Sequence, residues 1–297
     1  MNDETSTEQQ HLEGAISVLA ALTSGSRQFD AIFIDREKSS KESNKVARIA
    51  YERKISLRRV GRDEIDRRAN GTTHGGVLAV VGDRAFVELQ TLGTQTKSAW
   101  IVMIDGVEDP YNFGGAVRAL YAAGADGLVL RNRNWMSAAA IVARASAGAS
   151  ELIPTSTADS AEEAAEHFRS RGFTIACATD CGETTSLYSA NLRVPLFLMI
   201  GGEKRGVTRS FGEQSDLRLE IPYRRADAHS LGTAAAASVI GFEIMRQRIG
   251  KFTVPDNSST KNAAPAQSKL PQRPSTQQES SRLSKQIRSP RKPLRGS

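Results

Sequence analysis

Ala99-Trp-Ile-Val-Met-Ile-Asp-Gly-Val-Glu-Asp-Pro-Tyr-Asn-Phe-Gly-Gly-Ala-Val-Arg118 is the stretch that decides the fold. The unbroken apolar run Ala99–Ile104 predicts a strand buried on both faces. A loop carrying Pro110 leads straight into a helix predicted over Asn112–Ala123. If Asn112 caps that helix, Arg118 falls near the end of its second turn, and Gly114 and Gly115 let the backbone approach a ligand. Working outward, the same alternation recurs: Gly127–Leu130, Ser137–Ser146, Ala161–Arg171, Phe173–Ala178, Leu196–Ile200 and Gly232–Ile249. Apolar strands alternating with helices predict a parallel sheet with helices on both faces. Ligands of such sheets bind beyond the strand C-termini, which directs attention to the loops after Ile104, Ala178, Ile200 and Ile221.

Upstream, a smaller α/β unit is predicted over residues 10–82. Leu12, Ile16, Leu19 and Leu22 suggest a helix. A strand at Ala31–Ile34, a helix near Glu42–Arg53, a strand at Leu57–Val60, a helix near Arg62–Ala69 and a strand at Val77–Val81 follow. Between Arg36 and Arg68 there are 12 basic and 6 acidic residues, enough for a basic face. Residues 83–98 form a polar linker, and the larger α/β unit occupies 99–250.

The net charge of +7 belongs to the C-terminal tail. Residues 251–297 hold ten Lys/Arg and two Asp/Glu, whereas residues 1–250 hold 30 basic and 31 acidic. Six of the ten prolines lie from Pro255 onward, and large apolar residues are scarce. A disordered basic tail is predicted, either a nonspecific nucleic-acid arm or a solubilising segment. No apolar run approaches the roughly 18 residues of a membrane span. The acidic start with Asp3, Glu4 and Glu8 argues against a signal or transit peptide, so a cytoplasmic protein is expected. Cys177 and Cys181 provide neither a disulfide framework nor a metal site and read as reduced structural thiols.

A second loop, Gly201-Gly-Glu-Lys-Arg-Gly206, lacks the Gly-Lys-Ser/Thr ending of a P-loop, and the chain has no Gly-x-Gly-x-x-Gly fingerprint. It is a glycine turn presenting Glu203 at the ligand edge. The third segment, Leu219-Glu-Ile-Pro-Tyr-Arg-Arg-Ala-Asp-Ala-His-Ser-Leu-Gly-Thr-Ala-Ala-Ala-Ala237, opens a helix whose alanines give it a smooth surface.

Together these three segments resemble the motifs of the SpoU/TrmH (SPOUT) family of RNA ribose 2′-O-methyltransferases. Asp109-Pro-x-Asn112-x-Gly-x-x-x-Arg118 resembles motif one, Gly201-x-Glu203-x-x-Gly206 motif two, and Ile221-Pro222 with Ser230-Leu231 motif three. Ala145-Ser-Ala-Gly-Ala-Ser-Glu-Leu-Ile-Pro154 is similar to the family segment between motifs one and two. Residues 12–82 more distantly resemble the family's RNA-recognition domain. The resemblance implies a trefoil knot, a homodimer with the site at its interface, and S-adenosylmethionine as cofactor, held by Thr179, Gly201, Gly206, Ile221, Pro222 and Leu231. It further implies that Asn112, Arg118, Glu203 and Ser230 form the catalytic set acting on RNA, with no metal.

Arg118 then clamps an RNA phosphate and stabilises the developing oxyanion, because a guanidinium stays protonated and is a poor base. His229 is read as a solvent-facing neighbour of Ser230. Motif three normally reads Ser-Leu-Asn, and here Gly232 replaces the Asn. The preferred reading is a site rebuilt around the small residue, in which a larger side chain overpacks cofactor or ribose. Two functions compete: a methyltransferase acting on rRNA, with tRNA as the other substrate, and a noncatalytic RNA-binding or assembly protein with a decayed site.

Overall fold

The fold is organised by the strand β5 (Trp100–Asp105), whose side chains divide between two cores. Trp100, Val102 and Ile104 enter one, while Ile101 and Met103 enter the other. This is why the sequence there is continuously apolar: a parallel strand covered on both sides has no face for polar residues. The computed structural model describes residues 10–71, 73–131, 138–225 and 230–249. The tail over 251–297 and His229 lie outside the described residues.

In chain order, β5 is followed by α4 (Pro110–Ala122), β6 (Gly127–Arg131), α5 (Ala139–Ala145), α6 (Ala149–Leu152) and β7 (Thr155–Ala158). Then come α7 (Ala161–Ser170), β8 (Thr174–Ala178), β9 (Thr185–Ser186), β10 (Leu196–Gly201), α8 (Arg209–Gln214), β11 (Leu217–Glu220) and α9 (Thr233–Ile249). The seven strands form one all-parallel sheet in the order β7-β6-β5-β10-β8-β11-β9. Helices α4 and α9 cover one face, with Phe113, Val117, Ile240 and Ile244 buried there. On the other face α7 places Phe168 against Phe197, with stacked rings 5.0 Å apart. The predicted α/β class and doubly covered parallel sheet are what the structure contains.

Upstream, β1 (Gln10–Glu13), α1 (Ala15–Ser24), β2 (Phe29–Asp35), α2 (Lys41–Glu52), β3 (Leu57–Val60), α3 (Arg62–Asp66) and β4 (Val77–Val81) build a separate four-stranded sheet. Its order is β1-β4-β2-β3, with only β2 and β3 parallel. Leu12 belongs to β1, paired with Ala79, and not to the helix expected from its spacing. Gly14, at φ 90°, turns the chain between the two elements. Ile16 is consequently exposed, and Val18, Ala21 and Leu22 form the buried face of α1.

Two further expectations are corrected. Asp109, not Asn112, caps α4: its carboxylate accepts the Asn112 N–H at 2.8 Å, with Pro110 opening the helix. Arg118 is therefore the ninth helical residue, in the third turn. The close approach that the glycines of motif one permit is, within the chain, that of other helices. A Cβ on Gly114 would lie 2.6 Å from the Ala145 Cβ in α5, and one on Gly115 would lie 3.2 Å from the Ala234 Cβ in α9.

Candidate functional site

The C-terminal ends of β8, β10 and β11 open on a cavity of about 320 Å³. That lies at the lower end of the range for small-molecule sites. Its floor is backbone. At the end of β10, Gly201 stands in parallel register with Asp105. The loop then doubles back so that the Gly206 N–H donates to the Gly202 carbonyl at 2.8 Å. A Cβ on Gly201 would overlap the Gly206 carbonyl, and one on Gly202 would overlap that of Gly106. The glycines permit two backbone crossings that a side chain would block.

Glu203 ties this loop to α9. Its Oε1 accepts the Thr233 N–H at 3.1 Å, and the Thr233 hydroxyl donates to the Gly201 carbonyl at 3.3 Å. Because Thr233 is the first residue of a 17-residue helix, the carboxylate sits at the electropositive helix end and satisfies one of its orphan donors. The third loop is held at its rim, where the Tyr223 hydroxyl accepts the Leu231 N–H at 3.0 Å. Lys204 pairs with Glu108 between the first and second loops. The Lys204 hydrogen bond and charge hold the Glu108 carboxyl below its ordinary range.

Of the residues singled out in the sequence, Thr179, Gly201, Glu203, Gly206, Ile221, Ser230 and Leu231 line this one cavity. Pro222, Asn112 and Arg118 lie outside its lining. Asn112 and Arg118 are exposed on α4, and their side chains have no hydrogen-bond or ion-pair partner among the described residues. Sequence reasoning missed Thr233, Tyr223 and Asp180. Thr233 precedes an alanine run, as a hydroxyl residue at a helix start often does, and Asp180 follows a strand end. Cys177 is buried, and burial raises its thiol pKa. Cys181 departs from the structural-thiol expectation: it is exposed and lines the cavity. No helix among the described residues is long and apolar enough to cross a membrane.

Residues 99–242 match the model of the SpoU rRNA Methylase family, and residues 11–86 match the RNA 2′-O ribose methyltransferase substrate binding model. A Staphylococcus aureus protein assigned to the TrmH family of tRNA/rRNA methyltransferases is 26% identical over 239 residues, 79% of this chain and 95% of that protein. Two solved structures share the fold. An RNA 2′-O ribose methyltransferase aligns with TM-score 0.68 at 23% identity, over 82% of this chain and 91% of its own. The SpoU methyltransferase AviRb from Streptomyces viridochromogenes, solved with AdoMet, also aligns with TM-score 0.68, at 21% identity over 84% and 94%. With a methylase region and a substrate-binding region both matched, and the three motif segments gathered at one sheet edge, the chain belongs to the SpoU/TrmH family of RNA methyltransferases.

Proposed function

We propose that the protein transfers a methyl group from S-adenosylmethionine to a ribose 2′-hydroxyl of RNA, most naturally rRNA, as a cytoplasmic homodimer. The observation that carries this reading is the closure of the second loop onto α9 through Thr233, Glu203 and Gly201, around a cavity floored by backbone. The residues present fit the cofactor. Apolar walls from Ile200, Leu219 and Ile240 suit an adenine, backbone groups of the glycine loop suit polar recognition, and the Asp180 and Glu203 carboxylates suit a cation.

When bound there, S-adenosylmethionine supplies an electrophilic methyl group carried on a sulfonium. The protein's task is to present an oxygen nucleophile in line and to exclude competing geometries. Arg118, exposed and without a partner among the described residues, holds an RNA phosphate and stabilises the developing oxyanion. Its proton stays on, so the hydroxyl proton leaves to water. Asn112 and Ser230 orient the ribose, while Glu203 fixes the loop and the start of α9. Position outside the cavity of their own chain suits Asn112 and Arg118 to a site completed at a dimer interface. The trefoil knot belongs to the same proposal, supported by the hydrogen bonds of Thr233 to Glu203 and Gly201.

The smaller sheet supports RNA contact. Between Arg36 and Arg68, ion pairs engage Arg48, Arg62 and Arg68. Arg58 and Arg59, exposed on the edge strand β3, have no ion-pair partner among the described residues. Such cations neutralise phosphates without reading sequence.

Calorimetry with S-adenosylmethionine, followed by transfer of tritiated methyl to total RNA and nucleoside analysis, tests the proposal. Tritium in 2′-O-methyl nucleosides is expected. Tritium on bases would refute ribose specificity, and RNA binding with neither cofactor binding nor transfer would favour the noncatalytic reading.

A further inference from the structure

The smaller sheet is not hung on a slack linker. Arg27, just after α1, makes a two-pronged contact with Glu151 of α6: Nε donates to Oε2 and Nη2 to Oε1, both at 3.0 Å. Both side chains are about 1% exposed. The Ser26 hydroxyl donates to the same carboxylate at 2.7 Å. Planar forks of this kind fix orientation as well as distance. Close packing accompanies the charges. Ala143 of α5 is buried in the core of the smaller sheet, and the Ser17 hydroxyl donates to its carbonyl at 3.2 Å. A Cβ on Gly148, at φ 81°, would lie 2.6 Å from the Ala20 Cβ of α1.

The stretch read as a linker is pinned too. The Ala85 N–H donates to the Ser26 carbonyl at 2.8 Å, the Val87 N–H to the Thr155 carbonyl at 2.9 Å, and the Arg84 guanidinium to the Ile153 carbonyl at 2.8 Å. The segment carrying Glu151 reaches the reaction machinery on its other side. Ala145 of α5 sits against Gly114 so closely that no side chain fits between them, and Gly114 shares α4 with Asn112 and Arg118. One rigid path therefore runs from α1 through α6 and α5 to α4.

We infer that Glu151, held by Arg27, is a specificity-determining positioning residue: it fixes the span between the cationic smaller sheet and the helix bearing Arg118, so that RNA anchored at one end presents one nucleotide at the other. This rests on the RNA methyltransferase reading above. Neither residue touches the cavity of the candidate site. Their effect is on which ribose arrives, not on how the methyl moves.

Two full-chain variants test the inference, Glu151→Gln and the milder Arg27→Lys, which keeps the charge and loses the fork. The probe RNA is total cellular RNA, with ribose methylation mapped nucleotide by nucleotide. Independently of activity, spin labels on native Cys181 and on Tyr51→Cys, both exposed, report the span by pulsed dipolar spectroscopy. Expected are one narrow distance and one modified nucleotide in the parent. Both variants should broaden the distance, spread methylation to neighbouring nucleotides, and raise KM for RNA about tenfold with cofactor affinity unchanged. If Glu151→Gln does not fold, Arg27→Lys decides. A folded variant with a narrow distance and the parent's single site and KM overturns the inference. Absence of transfer by the parent would instead sink the functional reading, and the distance distribution would still decide whether the latch exists.

Discussion

Gly232, where the family motif carries Asn, is the position whose replacement tests the reading of the site most directly. Its carbonyl accepts the N–H groups of Ala235 and Ala236, both at 3.0 Å, which places Gly232 immediately before the first turn of α9 in the capping position. The described residues leave the position open, so any overpacking there is against bound cofactor or ribose. A Cβ built there meets nothing within 4 Å, the residue is exposed, and it is not among the cavity walls. The Thr233 N–H is already taken by Glu203 and that of Ala235 by the Gly232 carbonyl, so an Asn side chain would accept from Ala234. Replacing Gly by Asn at such a position contributes a few tenths of a kcal/mol. Reduced freedom of the unfolded chain adds about 0.4–1 kcal/mol. The sum, about 1 kcal/mol, corresponds to a Tm increase of about 2–4 °C for a domain of this size. Differential scanning calorimetry should show that rise, and isothermal titration should find S-adenosylmethionine affinity within about twofold of the parent. A fall in Tm, or a tenfold loss of cofactor affinity, would show that the added side chain turns into the cavity and overpacks it, as the sequence reading expects.

Arg118→Ala should cost on the order of 10²–10³ in methyl transfer, as removal of a transition-state donor does, with cofactor affinity unchanged; loss of cofactor binding would contradict its place outside the cavity. Arg84 offers a test of burial. Desolvation, opposed by Glu151 and reinforced by Arg27, pushes its guanidinium well below the ordinary arginine range, to about 10. A base whose pKa falls on folding destabilises the fold fully below the folded value and is relieved as pH rises through it. The penalty at neutral pH is therefore about 3 kcal/mol at about 1.4 kcal/mol per unit. Arg84→Met loses the bond to the Ile153 carbonyl, which the Thr155 hydroxyl still satisfies at 3.0 Å. Urea unfolding at pH 7 should consequently show a gain of about 1–2 kcal/mol, and a loss would mean that the charge is compensated in place. Truncation after Ile249 removes ten basic and two acidic residues together with Gly250, so RNA affinity and its salt dependence should both fall while the modified nucleotide stays the same. An unchanged salt slope would leave the tail only a solubilising role.

The parallel sheet was legible because β5 and β10 advertise it: strands buried on both faces are continuously apolar, and few other environments select Trp-Ile-Val-Met-Ile or Leu-Phe-Leu-Met-Ile. By contrast β7, Thr-Ser-Thr-Ala, carries almost no apolar signal, although Thr155 and Ser156 are buried in it. Its position is set by pairing with β6, a long-range contact that composition does not encode. β1 was lost for another reason. Leu12 fits the helical spacing of Ile16 and Leu19, and only the turn at Gly14 separates the two elements. The capping error over Asn112 was avoidable, since a proline belongs at the first helical position and the residue before it, Asp109, is the natural cap.

The site was legible to the extent that its residues act near their own place in the chain. Gly201, Gly206 and Glu203 reveal a turn with a carboxylate wherever that turn is packed. Thr233 did not, because its importance is a meeting of three segments: its hydroxyl reaches Gly201, its N–H reaches Glu203, and its helix packs through Ala234 against Gly115. Gly114 shows the same limit from the opposite side. A glycine beside Asn112 invites a ligand, yet the missing side chain makes room for Ala145, two residues after Ala143 enters the smaller sheet's core. A small residue in a motif therefore marks close approach without saying what approaches. Here the neighbour is the helix pair that joins Arg27 and Glu151 to the helix of Arg118, so the same glycine that resembles a catalytic signature also sets where the smaller sheet stands.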